Sequence, residues 1–298
     1  MNILLTGGDG FVGEYVQEVL DCVLLNNADG RIDLLDTQQV YDQVNQIQPD
    51  AVIHLAAQSF VPASFENPRN TFDVNFYGTY NLLEALDKSD FKGRFLYVSS
   101  SDVYGLVPRE AQPISEMQAA MPRSPYAVSK IAAEALCYQW SVNSQFECVT
   151  ARPFNHIGPG QSEMFVVSDF AKQLVEIKLG LREPEIKVGD IDVYRDFTDV
   201  RDVVRAYSRL LDSGQNSEIY NICSGKGRKI RDLVEIMIDQ LGLKVDIDVD
   251  QARLRKSEQR YVAGDYTKLA TATNWYPEID ISDSIADIIK YWELTLDE

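Results

Sequence analysis

The stretch TGGDGFVG, Thr6 to Gly13, ends the short apolar run Asn2–Thr6 and constrains the fold more than any other part of the chain. Glycines at 7, 10 and 13 suit a strand–turn–helix. One glycine makes the tight turn, one lets the backbone approach a pyrophosphate at the helix N-terminus, and one lets helix and strand pack closely. A glycine triplet alone is ordinary turn punctuation. The alternation of strands and helices beyond it gives it meaning.

Apolar runs at Cys22–Leu25, Arg31–Asp36, Asp50–Leu55 and Arg94–Val98 read as strands two to five. Helical spacing over Thr37–Gln48 places Val40, Val44 and Ile47 on one face, and a long helix runs through Asn75–Leu86. Tyr126–Ser141 is a further helix, and Glu147–Ala151 and Ile219–Cys223 are further strands. Strands alternating with helices imply an α/β fold, a doubly wound parallel sheet covered on both faces. Residues 1–160, joined by about 190–225, are expected to form a dinucleotide-binding domain. Residues 161–189 and 226–298 make a smaller C-terminal α/β domain that binds substrate.

Composition narrows the chemistry. A chain of 298 residues with 45% hydrophobic and 25% charged content can bury a full core as an ordinary globular protein. No apolar run is long enough to cross a bilayer, and the N-terminus enters a strand at once, so a cytoplasmic location is expected. A net charge of −18 repels nucleic acid and acidic membranes. Cys22, Cys137, Cys148 and Cys223 are widely spaced, and His54 and His156 are the only histidines. Neither a metal site nor a Ser-His-Asp hydrolase is readily assembled from these.

The run SSSDVYG, from Ser99 to Gly105, follows the Arg94–Val98 strand and puts hydroxyls and one acid at a buried strand end. In SPYAVSK, Tyr126 and Lys130 share one helical face. A lone YxxxK is more often a pair of surface neighbours. Here Pro125 opens the helix, a hydroxyl-rich edge lies upstream and a glycine turn begins the chain. An ammonium beside a phenol is expected to lower the phenol's pKa from about 10. Such a tyrosine can pass a proton to or from a sugar oxygen while hydride moves to or from nicotinamide. At the end of the second strand, Asn26-Asn27 neither requires a free 2′-hydroxyl nor supplies a cation for a 2′-phosphate, so NADH and NADPH both stay open.

TGGDGFVG, HLAAQ, SSSDVYG, PYAVSK, RPFNHIGPGQ and RDFTDVRDV, in this order along essentially the whole chain, resemble the extended short-chain dehydrogenases/reductases, the NAD-dependent epimerase/dehydratase family. Within it, the last two motifs are most similar to GDP-4-keto-6-deoxy-mannose reductases. The resemblance implies a Rossmann-type fold, NADPH or NADH as cofactor, a GDP-linked sugar substrate and a homodimer paired through two long helices. It implies that Gly7, Gly10, Phe11 and Val12 cradle the pyrophosphate. Asp33 and Leu34 would meet the adenine, while Leu55, Ala56 and Ala57 would pass beneath the ribose and phosphates. Ser100, Tyr126 and Lys130 are the implied catalytic residues, Lys130 also holding the nicotinamide ribose.

Asn155, Arg195 and Arg255 are implied to contact the sugar nucleotide. On their residue types alone, Asn155 could be a strand-end cap and either arginine a surface ion pair. The related 4,6-dehydratases carry a glutamate where Asp102 stands, and it removes a C5 proton. The shorter Asp102 reads as a positioning residue, which favours a reductase forming GDP-D-rhamnose or its talose epimer. A GDP-mannose 4,6-dehydratase, a nucleotide-sugar 4-epimerase and a dinucleotide-sensing regulator are the alternatives.

Overall fold

The computed structural model describes residues 1–27, 30–251 and 259–297. The chain opens with β1 (Ile3–Thr6), α1 (Phe11–Val19) and β2 (Cys22–Leu24), followed by a short ribbon of β3 (Asn26–Asn27) and β4 (Gly30–Arg31). Then come α2 (Thr37–Ile47), β5 (Ala51–His54), α3 (Val61–Glu66), α4 (Pro68–Phe72), α5 (Gly78–Lys88) and β6 (Arg94–Val98). The second half holds α6 (Pro125–Asn143), β7 (Glu147–Pro153), β8 (Asn155–Ile157), α7 (Val166–Lys178), β9 (Glu185–Val188), β10 (Tyr194–Asp199) and α8 (Val200–Ser213). It ends with β11 (Ile219–Ile222), β12 (Gly227–Lys229), α9 (Ile230–Leu241), β13 (Asp246–Val249), α10 (Thr267–Thr273) and α11 (Ile281–Asp297).

Six parallel strands form the main sheet in the order β11-β7-β6-β5-β1-β2. This is the expected Rossmann-type arrangement. Alternate residues feed opposite faces: Ile3, Leu5, Ile53 and Leu96 pack with Val16, Val203, Tyr207 and Leu210 of α1 and α8. Leu4, Val52, Phe95 and Tyr97 pack with Val40, Val44, Leu82, Leu86 and Cys137 of α2, α5 and α6. Strands buried on both faces need continuous apolar runs, and these have them. A separate cluster joins α7, α9 and α11 to β9 and β10 through Phe170, Leu174, Ile186, Phe197, Met237 and Trp292. A three-stranded sheet, β12-β10-β8, starts where β7 leaves the main one. Among the described residues, no helix is long and apolar enough to cross a membrane.

The third strand expected over Arg31–Asp36 is absent from the main sheet, a correction with a local cause. Ile32 and Leu34 are buried and their neighbours exposed, so the alternation is real. But Asp33 Oδ1 accepts the Leu35 N–H at 2.9 Å, and Asp36 caps α2 by accepting the Gln39 N–H at 3.1 Å. The Asp33 carboxylate takes a backbone donor that a ladder would need, and Asp36 turns the chain into α2 at once. The helix expected from Asn75 begins earlier: it runs from Pro68 to Lys88 with a π turn at Asp73–Tyr77, which directs Asn75 into the core.

Candidate active site

Parallel register brings the C-terminal ends of β1, β5 and β6 to one edge, with Thr6 beside His54 and His54 beside Tyr97. The glycine turn leaves β1 there. Gly7 has φ +71°, and a Cβ on it would lie 2.7 Å from the Ala56 nitrogen. A Cβ on Gly13 would lie 2.3 Å from the Gly7 carbonyl oxygen, so helix and turn touch backbone to backbone. A Cβ on Gly10 would meet only the Gly7 oxygen, at 3.4 Å. Gly10 offers no capping side chain, so the leading N–H groups of α1 lack an intrahelical partner. An open, uncapped helix N-terminus over small residues suits a dinucleotide pyrophosphate in both shape and charge.

Leu55, Ala56 and Ala57 pass directly beneath this turn, where the Leu55 N–H donates to the Thr6 carbonyl at 3.2 Å and the Ala56 N–H to Thr6 Oγ1 at 3.2 Å. Val12 packs into the core beneath α1. Phe11 stacks on His156 at 6.1 Å, and Tyr15 Oη donates to the Pro159 carbonyl at 2.9 Å. Leu34 is buried against Gly78, and its carbonyl accepts from Asn81 at 2.8 Å, whereas Asp33 is exposed.

A hydroxyl-rich edge forms where β6 ends. Ser100 opens a 3-10 turn, its hydroxyl accepting the Asp102 N–H at 3.2 Å. Opposite it, Ser124 caps α6 by accepting the Ala127 N–H at 3.0 Å, and Pro125 holds the first turn. That start presents Tyr126 inward, hydrogen-bonded to Ser100. One turn on, the buried Lys130 Nζ donates to the Val98 carbonyl at 2.8 Å. The structure therefore brings Ser100, Tyr126 and Lys130 together.

Their electrostatics correct one expectation. Burial pushes the Tyr126 phenol above its ordinary range, the Asp102 charge pushes it further, and the Ser100 hydrogen bond opposes both. Lys130 does not acidify it here, because the ammonium lies 6.0 Å from the Tyr126 ring centre and donates to a backbone carbonyl instead. Lys130 itself is lowered to about 8 by burial, with Glu134 opposing. A phenol held high stays protonated near neutrality, the state needed by a proton donor.

Asn155 opens β8 between two contacts. Phe154 packs on Tyr104 of the turn that follows Ser100 at 6.4 Å, and His156 stacks on Phe11 of the glycine turn. Asn155 therefore lies between the glycine turn and the turn after Ser100. Arg195 on β10 lies two residues before Phe197, the register partner of Asn155, and its Nη1 donates to the Gln259 carbonyl at 2.7 Å. The next residue, Asp196, is buried and accepts from Ser224 N, Ser224 Oγ, Gly225 N and Gly264 N at 2.6 to 3.0 Å. It ties the arginine strand to two neighbouring loops. Asp102 is exposed beside Tyr126. Arg255 falls outside the described residues.

A family model described as GDP-mannose 4,6 dehydratase matches residues 29–288. The chain belongs to this family. It is 46% identical over 295 residues to GDP-6-deoxy-D-mannose reductase of Pseudomonas aeruginosa, covering 98% of this chain and 97% of that protein. It is 30% identical to a GDP-mannose 4,6-dehydratase of Yersinia enterocolitica, covering 86% of this chain and 76% of the relative. Among solved structures, that of RMD from Pseudomonas aeruginosa complexed with NADPH superposes with TM-score 0.93 at 45% identity, covering 99% of each chain.

In this GDP-mannose 4,6 dehydratase family member, residue-by-residue reading overlooked two buried networks. Thr79 Oγ1 donates to the Asn75 carbonyl at 2.7 Å, so it must accept from His54 Nε2–H at 2.9 Å. His54 Nδ1 then accepts the Thr6 hydroxyl at 2.6 Å. Asn75 continues to Ser129 at 2.9 Å, and Ser129 to the Tyr126 carbonyl at 2.7 Å. This line joins the glycine turn to the tyrosine's own helical turn. The second network centres on Glu134, whose four-residue spacing from Lys130 was the available signal. Arg31 was also overlooked: its Nη1 lies 3.0 Å from Asp9 of the glycine turn, exposed at the end of the ribbon that replaces the expected third strand.

Proposed function

We propose that this protein is an NAD(P)H-dependent reductase of the C4 ketone of GDP-4-keto-6-deoxy-D-mannose. The observation carrying this reading is the hydrogen-bonded Ser100–Tyr126 pair, with Lys130 one turn away, on the same sheet edge as the glycine turn. Near-full-length similarity to GDP-6-deoxy-D-mannose reductase supports it over the more distant dehydratases. Asp102 supports it as well, being shorter than the dehydratase glutamate. We assign NADPH as the preferred cofactor, because Arg31 offers beside the glycine turn the cation that Asn26-Asn27 does not.

When bound, the reduced nicotinamide supplies the hydride. Tyr126 gives its phenolic proton to the C4 oxygen, so hydride and proton together turn the ketone into an alcohol. Ser100 holds that oxygen by hydrogen bond. Lys130 fixes the nicotinamide ribose, while Asp102 positions a sugar hydroxyl. Gly7, Gly10, Phe11 and Val12 hold the pyrophosphate; Asp33 and Leu34 face the adenine. Asn155, Arg195 and Arg255 bind the GDP moiety. Hydride delivery to one face gives GDP-D-rhamnose, our assignment, and to the other GDP-6-deoxy-D-talose.

The protein acts in the cytoplasm as a homodimer joined through α5 and α6. Exposed Tyr77 and Tyr80 at the start of α5, and Val128, Tyr138 and Val142 along α6, support that pairing. The main sheet with its covering helices serves as the dinucleotide domain, and the cluster around α7, α9 and α11 as the sugar-nucleotide domain.

Incubation with GDP-4-keto-6-deoxymannose should consume NADPH and yield a GDP-6-deoxyhexose, while GDP-mannose alone stays unchanged. Consumption of GDP-mannose by itself would instead make the protein a dehydratase.

A further inference from the structure

Glu134 lies one turn beyond Lys130 on α6 and is buried. Ser99 Oγ donates to its Oε1, one residue before Ser100. Arg152 on β7 grips both oxygens, Nε to Oε1 at 2.9 Å and Nη2 to Oε2 at 2.5 Å. The guanidinium lies 4.8 Å from the centre of the Tyr104 ring, and Tyr104 donates to Asn221 at 2.7 Å. A buried ion pair is weak grounds for stability, since desolvation cancels most of its attraction. Its placement points to another use.

The titratable groups facing Lys130 come from three elements. His54 on β5 is held neutral, lowered to about 3 by burial and by Lys130 itself. Tyr97 on β6 and Tyr126 and Cys137 on α6 are pushed up by burial and stay protonated. Among the described residues, Glu134 is the one carboxylate acting on the lysine.

We infer that Glu134, fixed by Arg152, is a positioning residue for the catalytic edge: its carboxylate anchors the strand end at Ser99 and supplies the counter-charge that keeps the buried Lys130 ammonium protonated. The catalytic meaning of this rests on the Lys130 role proposed above; the charge coupling does not. Arg152 in turn keeps the carboxylate aimed between lysine and serine.

Lys130 Nζ can be titrated directly by NMR of the full-length protein carrying isotope-labelled lysine, its signal assigned with K130R. Glu134 and Lys130 lie one helical turn apart on α6, and opposite charges on neighbouring turns of a buried face shift a pKa by about 1 unit. E134Q should lower the Lys130 midpoint by that amount, E134Q/R152M by a smaller but measurable amount because it also removes the Arg152 positive charge, whereas E134D should hold it near the wild-type value. E134Q leaves Arg152 uncompensated and can fail to fold, but the double variant replaces the pair with neutral groups of similar size and answers alone. An unmoved midpoint in E134Q/R152M overturns the inference. In parallel, the alkaline limb of kcat/KM should follow the midpoint down, the loss growing through the range between the two limbs to about tenfold above the wild-type limb. A shifted midpoint with an unmoved limb leaves this coupling intact and removes the catalytic role of Lys130 instead.

Discussion

The glycine turn and the Ser100–Tyr126 end of β6 share one sheet edge, yet they are built in opposite ways. At Gly7 and Gly13 the backbone itself occupies the space a side chain would take, within 2.7 and 2.3 Å of the respective Cβ positions. At Tyr126 the space is filled by buried polar side chains: Asn75, Ser129, Ser99, Glu134 and Arg152. Steric exclusion works in full or not at all, while hydrogen bonds and charges grade. The first suits a group recognised mainly by shape and phosphate charge, and the second suits a proton donor whose pKa must be set. Substitutions should therefore separate into fold losses on one side and rate losses on the other.

The largest effect is expected from Tyr126→Phe. It removes the proton donor but keeps the ring that fills the core, so kcat should fall by about 10²–10⁴-fold. NADPH affinity and the thermal midpoint should stay close to wild type, as read by fluorescence titration and calorimetry. Unchanged turnover would mean that the polar edge carries no chemistry and would revive a dinucleotide-sensing role.

Next comes a pair on the glycine side. Gly7→Ala forces a Cβ into the Ala56 backbone at a positive φ, which should cost about 1–3 kcal/mol of stability. Gly10→Ala adds a Cβ in ordinary contact with the Gly7 carbonyl oxygen, at 3.4 Å, and should change stability by no more than about 0.5 kcal/mol. Its effect should appear in the dissociation constant for NADPH, weakened about tenfold where the methyl displaces the pyrophosphate, a difference of about 1.4 kcal/mol. Equal melting losses in both variants would show that Gly10 is packed as tightly as Gly7.

The same contrast explains what could be read from the chain. The glycine spacing, the alternating faces of β1, β5 and β6, and the Tyr126–Lys130 spacing are local, and folding leaves local patterns visible. Ser99–Glu134, Asn75–Ser129 and Tyr104–Asn221 join residues 35, 54 and 117 positions apart, which no periodicity encodes. The Arg31–Asp36 misreading has a different origin: its burial alternates like a strand, but Asp33 and Asp36 satisfy the backbone locally. The expected acid phenol failed because spacing puts Lys130 beside Tyr126 without saying where its ammonium donates. Burial decided that, by turning Nζ to the Val98 carbonyl.

His54 bridges the two regions, and its protonation offers the smallest but most discriminating test. Its ring accepts from Thr6, on the strand that leads into the glycine turn, and donates to Thr79, which leads through Asn75 and Ser129 to Tyr126. A proton on Nδ1 would turn the group that accepts the Thr6 hydroxyl into a donor facing it, and burial, with the Lys130 charge, lowers the folded pKa to about 3. The unfolded chain titrates near 6.5, so between these values the unfolded state binds one more proton. Stability from this group is thus fully present above about pH 6.5 and falls by about 1.4 kcal/mol per pH unit on acidification. His156, half-buried and also lowered, adds in the same direction. Thermal melts between pH 7 and pH 5, a range chosen above most carboxylate titration, should show this slope in wild type and a shallower one in His54→Gln. Equal slopes would mean that the bridge carries no buried neutral histidine, and the two halves of the edge would then be joined by packing alone.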